Sequence, residues 1–218
     1  MQKISSSWLN ASAGVKNIIS TFGHATSTDI SIGSYWYPSA YQIAARIAAE
    51  YRISPFKVVG VIAALSPNNK WERNCFDAES LIKVFKYGEH QDVIDTSVCT
   101  YPLNKSKALK ILELDDHDLK LKPVLEILKG PKVIEFTHSI LGREDVCIDG
   151  HAYNIWLGVY QSLKDVPAIG KKLRHTIKQD YKIATKLINL DLDSKYSIST
   201  VQAITWVTHR RIYLNITQ

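Results

Sequence analysis

The sequence is poor in cysteine and contains no paired cysteine motif. Its three cysteines, Cys75, Cys99 and Cys147, are widely spaced, and an odd, scattered set suits a reducing compartment better than a disulfide framework. Because no two of them form a CxxC pair, we expect neither a zinc site nor a cysteine-held iron–sulfur cluster. We therefore predict no metal and no other cofactor.

Long hydrophobic runs are also missing. No stretch approaches the roughly 20 consecutive apolar residues of a membrane-spanning helix, and the first residues lack the apolar core of a signal peptide. We therefore expect a cytoplasmic protein with no membrane partner. Internal repeats and low-complexity tracts are absent as well, which argues against a solenoid or a disordered linker.

The composition is that of a folded, basic protein. Hydrophobic residues make up 45% of the 218 residues and charged residues 22%, as in ordinary globular proteins. This length favours a single domain over residues 1–218. The net charge of +6, from 27 Lys and Arg against 21 Asp and Glu, favours an anionic partner such as nucleic acid.

Apolar residues recur at helical spacing along most of the chain, which predicts an all-α fold of at least about eight helices. Ser54 and Pro55 open a buried helix that ends before Pro67, and Gly88 ends the next one. Residues 1–37 are rich in Ser, Gly and Thr, and we predict irregular structure there with at most one short helix. The other predicted helices cover residues 40–51, 106–114 with Asn104 or Ser106 as cap, a segment after Pro123, a segment after Gly130, 171–190 and 199–214.

Asp149 follows a brief apolar segment and precedes a helical pattern that includes Tyr153, Trp156 and Tyr160. An aspartate at this position is favoured as an N-cap, because its carboxylate accepts hydrogen bonds from the first free amides of the helix. The cap alone would contribute about 1 kcal/mol to stability. Asp149 is thus a helix cap by pattern, and a catalytic role needs further support.

Three segments, in chain order, resemble the endonuclease III-like DNA glycosylases of the helix-hairpin-helix superfamily. Residues 54–71 resemble the long buried helix whose end inserts a side chain into the duplex, and Asn68 occupies the inserting position. Residues 104–111 resemble a segment beside the substrate pocket, where Lys107 carries the match. Residues 130–132 and 146–151 resemble the hairpin and the catalytic signature. The matched segments lie within residues 54–160, about half of the chain.

The resemblance implies a two-lobed helical fold, with one lobe over about residues 38–115 and the other over about 116–218 plus the N-terminal segment. It places Asp149 on the catalytic carboxylate and Lys132 at the position of the lysine that forms a Schiff base in bifunctional members. The hairpin around Gly130 is shorter than usual, and the helix before Asp149 is a residue shorter. The cluster-binding C-terminal cysteines are absent.

Base excision would require a wedge, a base pocket and a carboxylate near C1′ of the flipped nucleotide. The resemblance implies duplex DNA with a flipped base as the partner and no obligate protein partner. The expected DNA-contacting and base-contacting residues are Asn68 and Trp71 as wedge candidates, Tyr35, Trp36 and Tyr37 as stacking candidates, and Asn69, Lys107, Gly130 and His151 as further contacts beside the pocket or backbone.

Simpler interpretations remain open. Residues 67–69 could be a plain turn. A stripe of basic residues between positions 171 and 186 could be a solvated helix face or a phosphate contact. A second hairpin-like segment covers residues 166–172. As a whole, the chain could also elaborate a modified pyrimidine in DNA, bind DNA without catalysis, or be a helical interaction protein. The stripe consists of Lys171, Arg174, His175, Lys178, Lys182 and Lys186.

Overall fold

The structure, a computed structural model, describes residue 8 and residues 10–214. Over these residues all regular secondary structure is helical, which confirms the all-α prediction. The eleven helices are α1 (Ala13–Gly23), α2 (Ser27–Tyr51), α3 (Pro55–Leu65), α4 (Trp71–Tyr87), α5 (His90–Asp95), α6 (Pro102–Leu112), α7 (Leu121–Leu128), α8 (Pro131–Ile140), α9 (Gly150–Leu157), α10 (Lys171–Leu192) and α11 (Ile198–Leu214).

The chain divides into two compact units. The terminal unit comprises Met1–Pro38 and Gly142–Gln218, and the central unit comprises Ser39–Leu141. The boundary between Leu141 and Gly142 lies well beyond residue 115, at which we predicted the end of the first lobe. The reason is that α7 and α8 pack against α3 of the central unit. None of the described helices combines the length and the apolar character needed to cross a membrane.

The central unit is built around α3. Ser54 caps this helix by accepting a hydrogen bond from the Phe56 amide at 3.2 Å, and Pro55 occupies the first turn, as predicted. Every residue from Lys57 to Leu65 is buried, because α4, α6, α7 and α8 all pack around α3. A helix that is apolar on all sides is stable only in such surroundings.

A buried lysine ties α3 to the end of α6. The Lys57 side chain is 3% exposed, and its Nζ donates to the Leu112 carbonyl and to Asp116 Oδ2, both at 3.0 Å. Burying an ammonium group is costly unless it is paired and hydrogen-bonded. Both conditions are met here, so the one charged residue of α3 holds the neighbouring helix end in place.

In the terminal unit, α1 packs against α9, α10 and α11. Its core side chains include Ile18 and Phe22 of α1, Ile155 of α9 and Tyr181 of α10, all of them at most 1% exposed. The side chains of α1 that enter this core recur at three- and four-residue spacing, the pattern of an amphipathic helix. This arrangement positions the start of α9, where Asp149 lies.

The prediction that residues 1–37 are irregular, with at most one short helix, was wrong for residues 13–37, and its part over residues 1–7 and 9 lies outside the described residues. Within the described part, α1 ends at Gly23 and α2 begins at Ser27. Thr26 and Asp29 form a reciprocal capping pair, with Thr26 N to Asp29 Oδ2 at 2.8 Å and Asp29 N to Thr26 Oγ1 at 3.1 Å. Local caps and tertiary burial therefore outweighed the low helix propensity of the Ser-, Gly- and Thr-rich composition.

Other predicted helix boundaries moved as well. The segment 89–103 was predicted to be a connection, yet it contains α5. Helix α6 begins at Pro102, so neither Asn104 nor Ser106 is its cap. Helix α9 ends at Leu157, because Gly158 adopts a left-handed φ of +76° there, and Tyr160 lies beyond it. The predicted stop at Gly88 is confirmed.

Candidate active site

Asp149 is the N-cap of α9, as predicted. Its Oδ1 accepts a hydrogen bond from the Ala152 amide at 2.9 Å, and its carbonyl accepts one from Tyr153 N at 3.0 Å. Among the described residues, we find no hydrogen-bond donor to Asp149 Oδ2. The side chain is half-buried, and one of its two oxygens is fixed by the helix.

Two basic residues of α10 hold the segment that leads to Asp149. Arg174 donates to the Ile148 carbonyl at 2.9 Å, and Lys178 forms an ion pair of 2.6 Å with Asp145. These are the two half-buried members of the predicted basic stripe, and they position the backbone on either side of residues 146–147. The exposed members are Lys171, His175, Lys182 and Lys186.

Three ring-bearing side chains lie close to Asp149. The charge of Asp149 acts on the hydroxyl of Tyr181 and on the imidazole of His209. The ring centroids of His151 and His209 are 5.9 Å apart, and His151 also meets the edge of Trp206 at 6.3 Å. Tyr181 and His209 are 0% and 2% exposed. The carboxylate thus adjoins a largely desolvated cluster.

The protonation states of this cluster follow from burial. Desolvation, followed by the neighbouring His151, lowers the pKa of His209 to about 4, although Asp149 opposes the shift. Burial raises the pKa of Tyr181 far above its usual range, the charge of Asp149 adds to the rise, and Thr205 opposes it. Neither Tyr181 nor His209 therefore carries a charge at neutral pH.

We expect the buried His209 to make the protein less stable in acid. The pKa of His209 is about 4 in the folded state and 6.5 ordinarily, so the unfolded chain binds the proton more tightly between these values. The free energy of unfolding should therefore fall, by up to about 3 kcal/mol, as the pH drops from about 6.5 to 4. Urea unfolding of the wild type and His209→Phe at pH 7 and pH 4.5 measures this.

The control for this prediction is His175→Gln, since His175 is exposed on α10. The loss of stability in acid should be smaller in His209→Phe than in the wild type and unchanged in His175→Gln. Equal acid sensitivity of all three proteins would contradict the assignment of His209 as a buried neutral imidazole.

The predicted stacking residues lie on α2 rather than in a loop. Tyr35 is 68% exposed, whereas Tyr37 is 7% exposed and its hydroxyl donates to Gln202 Oε1 at 2.9 Å. Trp36 meets Trp206 edge-on at 6.0 Å. Tyr37 is thus a core residue, Trp36 is half-buried, and Tyr35 alone of the three presents a largely free ring.

In the central unit, a buried carboxylate fixes the loop after α3. Asp77 is 0% exposed and accepts from Arg73 Nε at 2.6 Å, from Asn69 Nδ2 at 3.1 Å and from Cys99 N at 2.7 Å. Thr100 adds a hydrogen bond to the Pro67 carbonyl at 2.9 Å. Residues 66–70 and 98–101 therefore form one rigid surface, which we call the Asn68 loop.

Asn68 lies at the tip of this loop. It is exposed, has a left-handed φ of +59°, and donates from Nδ2 to the Tyr101 hydroxyl at 2.6 Å. Trp71 is half-buried and meets Phe136 edge-on at 6.4 Å. Asn69 is held by Asp77. Of the two wedge candidates, Asn68 is therefore the more exposed, and the left-handed conformation is one that asparagine tolerates well.

The predicted hairpin joins α7 to α8. Lys129 has a φ of +58° and Gly130 is the N-cap of α8. Lys107 donates from Nζ to the Leu128 carbonyl at 2.9 Å, so this lysine caps the end of α7. Lys132 is exposed and lies in the central unit, whereas Asp149 lies in the terminal unit. The desolvation that would make Lys132 an amine nucleophile is absent.

The three cysteines form no disulfide bond within the described residues. Burial, followed by the nearby carboxylates, raises the pKa of Cys75 to about 12, so this thiol stays protonated. Within the described residues, no group of three or more His, Cys, Asp or Glu side chains is arranged to hold a metal ion.

Sequence reasoning missed His209, Tyr181 and Asn154. A usable signal for His209 was the presence of Gln202, Thr205 and His209 at three- and four-residue spacing among the apolar residues of α11, because a polar stripe on a buried helix face needs partners. No comparable signal marks Tyr181, which lies among charged residues of α10.

Comparisons with known proteins bear on the family only. No curated protein and no solved structure matches the chain. One family model, described as a family of unknown function (DUF7178), matches residues 1–212. Since this match covers nearly the whole chain, the protein belongs to the DUF7178 family.

Proposed function

We propose that this protein is a DNA glycosylase-like enzyme that flips a damaged or modified base out of the duplex and cleaves its N-glycosidic bond. The observation that carries the proposal is the placement of Asp149, whose carboxylate is half-buried and is held by Ala152 N beside the neutral rings of Tyr181 and His209. Perturbed titratable groups around a positioned carboxylate favour a functional site.

The electrostatics of the cluster suit this reaction. Breaking the glycosidic bond builds positive charge on the sugar, and a nearby carboxylate stabilises that charge. At neutral pH, neither Tyr181 nor His209 is ionised, so neither compensates the charge of Asp149. Desolvated surroundings strengthen the attraction between a carboxylate and the developing positive charge.

Water is the nucleophile in this proposal. Lys132 is exposed, and an amine becomes a nucleophile at neutral pH only when its surroundings favour the uncharged form. A carboxylate that stabilises the sugar cation can also orient a water molecule toward C1′. The reaction we propose is therefore hydrolysis, and strand cleavage by a Schiff base is not part of it.

The rest of the molecule supplies features that would bind DNA. The net charge is +6, and the exposed lysines of α10 can neutralise phosphates. The Asn68 loop presents an asparagine and the 59% exposed Tyr101 on a rigid base. Flipping a base costs a few kcal/mol, and a wedge that fills the gap offsets part of that cost.

The experiment that tests this function is mass spectrometry of the products from duplexes with damaged or naturally modified bases. A glycosylase releases the free base and leaves an abasic site. An enzyme that elaborates a modified pyrimidine would instead leave the glycosidic bond intact and change the mass of the nucleoside. If DNA binds tightly and neither product forms on any substrate, the protein is a non-catalytic DNA-binding module.

We expect Asn68→Gly to impair base flipping without unfolding the loop. Glycine adopts the φ of +59° at no steric cost, so the change removes only the wedge and its hydrogen bond to Tyr101. Base release should fall by about 10- to 100-fold, the cost of an unfilled gap in the duplex. The measurement is single-turnover release, together with 2-aminopurine fluorescence at the target position.

Gln91→Ala is the matched control for Asn68→Gly. Gln91 is an exposed amide of the same unit, and it bonds only to Asp95, at 3.0 and 3.1 Å. Its loss should leave base release unchanged. Normal release and normal fluorescence in Asn68→Gly would remove Asn68 from the wedge role.

A further inference from the structure

A small pocket opens in the terminal unit between α1, α9 and α11. Its volume is about 110 Å³. Thr21 contributes from α1, Asn154 from α9, Val159 from the segment after α9, and His209 and Tyr213 from α11. None of the described residues that line it carries a charged side chain at neutral pH.

Two buried side chains in the lining of this pocket have polar atoms without a hydrogen-bond partner among the described residues. His209 is 2% exposed, and neither Nδ1 nor Nε2 has a hydrogen-bond partner among the described residues. Asn154 is 1% exposed; its Nδ2 donates to the Gln161 carbonyl at 2.8 Å, whereas its Oδ1 has no partner within the same part of the chain. Buried polar groups are normally paired, because an unpaired one costs free energy.

The walls of the pocket are fixed by their own contacts. Asn17 donates to the Trp156 carbonyl at 3.0 Å. Its side chain packs so closely against Gly158, which has a φ of +76°, that a Cβ on residue 158 would lie 2.5 Å from Asn17 Nδ2. Tyr213 stacks on Tyr160 with ring centroids 5.5 Å apart and an angle of 11° between the planes. The Tyr213 ring also lies 4.8 Å from that of His209. The pocket therefore has a polar base and an aromatic side.

We propose that this pocket binds an uncharged six-membered heterocycle with adjacent N–H and C=O groups, the chemistry of a free pyrimidine base. Neutral His209 offers one donor and one acceptor, and Asn154 Oδ1 offers an acceptor. A ligand that presents one C=O and two N–H groups supplies a partner for each of the three. The ring would lie against Tyr213.

Size and charge narrow the ligand class. A closed apolar cavity of about 150 Å³ accepts a benzene ring. This pocket is smaller, at about 110 Å³, but it is open to solvent, so it can take one small ring with part of the ring exposed and cannot enclose an attached sugar and phosphate. A pocket without charged side chains offers nothing to compensate the desolvation of a phosphate or an ammonium group. The lining of the pocket therefore excludes both anions and cations as ligands.

The pocket shares His209 with the cluster around Asp149, but Asp149 itself does not line it, so binding of a free base can be tested apart from base excision. The test uses the full-length protein without DNA and titrates it with free uracil, thymine and cytosine, with inorganic phosphate as the negative probe. Chemical shifts in two-dimensional NMR spectra report binding. We expect saturable binding of at least one base with a dissociation constant of about 0.1–1 mM, typical of a ligand of about eight non-hydrogen atoms, and no response to phosphate.

Two pairs of proteins separate ligand binding from structural effects. His209→Phe keeps a planar ring but removes both nitrogens, and we expect an affinity loss of at least about tenfold with unchanged or increased thermal stability. Val159 lines the pocket and is 47% exposed. The larger side chain of Val159→Phe should therefore block the pocket, whereas Val159→Ala should leave it open.

The proposal is overturned if no base binds saturably, or if the binding of a base survives both His209→Phe and Val159→Phe. Its failure is distinct from failure of the proposed function. Base release is measured on DNA and depends on Asp149, whereas this binding is measured without DNA and should persist in Asp149→Asn.

Discussion

Replacing Asp149 with asparagine should reduce base release by about 10²- to 10⁴-fold while leaving the fold intact. Asparagine is as good an N-cap as aspartate, so its Oδ1 can still accept from Ala152 N, which lies 2.9 Å from Asp149 Oδ1 in the wild type. The substitution removes the negative charge that, in our proposal, stabilises the sugar cation. Single-turnover base release and urea unfolding, measured on the same preparation, separate activity from stability.

Ser12→Ala is the matched control for the cap itself. Ser12 caps α1 of the same unit by accepting from Val15 N at 3.2 Å, and its loss should cost about 1 kcal/mol of stability. Base release should be unchanged in this variant. If Asp149→Asn retained wild-type base release, Asp149 would be a helix cap alone, and the glycosylase proposal would lose its main support.

Replacing Gly33 with alanine should destabilise the protein by about 2–3 kcal/mol, the cost of overpacking. A Cβ at this position would lie 2.5 Å from Ile204 Cα and 2.6 Å from Ile204 N. These are backbone atoms of α11 and cannot rotate away, so the helices would have to separate. Helix propensity alone predicts the opposite sign, because alanine is favoured over glycine by about 1 kcal/mol in a helix.

Ser31→Ala is the control for Gly33→Ala, since Ser31 is exposed on the same helix. It should be neutral or stabilising by a few tenths of a kcal/mol. Urea denaturation of the three proteins gives the comparison. A Gly33→Ala variant as stable as the wild type would show that α2 and α11 do not approach as closely as the structure indicates.

Much of the fold followed from local signals. The predictions of a helix start at Ser54 and Pro55 and of a helix end at Gly88 were correct. Each of these residues acts through its own backbone or through amides one turn away. The same holds for Asp149 as the cap of α9. The N-terminal region was missed because its helices depend on burial and on the capping pair of Thr26 with Asp29. Helix α5 has no buried residue and begins at a capping box of Glu89 with Asp92. Composition alone does not report such contacts.

The candidate site was predicted in part. Local spacing identified Asp149, and Asn68 emerged from its position after a buried helix. The partners of Asp149 are distant in sequence: Tyr181 lies on α10 and His209 on α11. Lys107 and Tyr37 were assigned to DNA, yet they hold the Leu128 carbonyl and the Gln202 side chain. A polar side chain at a surface-like position can bind a partner or hold a group of the protein itself, and only its contacts distinguish the two roles.

The sequence by itself determined the helical class, the basic charge, the central buried helix α3 and the cap at Asp149, because periodicity, charge and capping act over at most a few turns. Tertiary structure decided the rest. It brought the neutral rings of Tyr181 and His209 to Asp149, turned Arg174 and Lys178 from a surface stripe into supports for residues 145–148, and formed the pocket beside Asn154. These properties arise from desolvation and from contacts between distant helices, which no local pattern encodes.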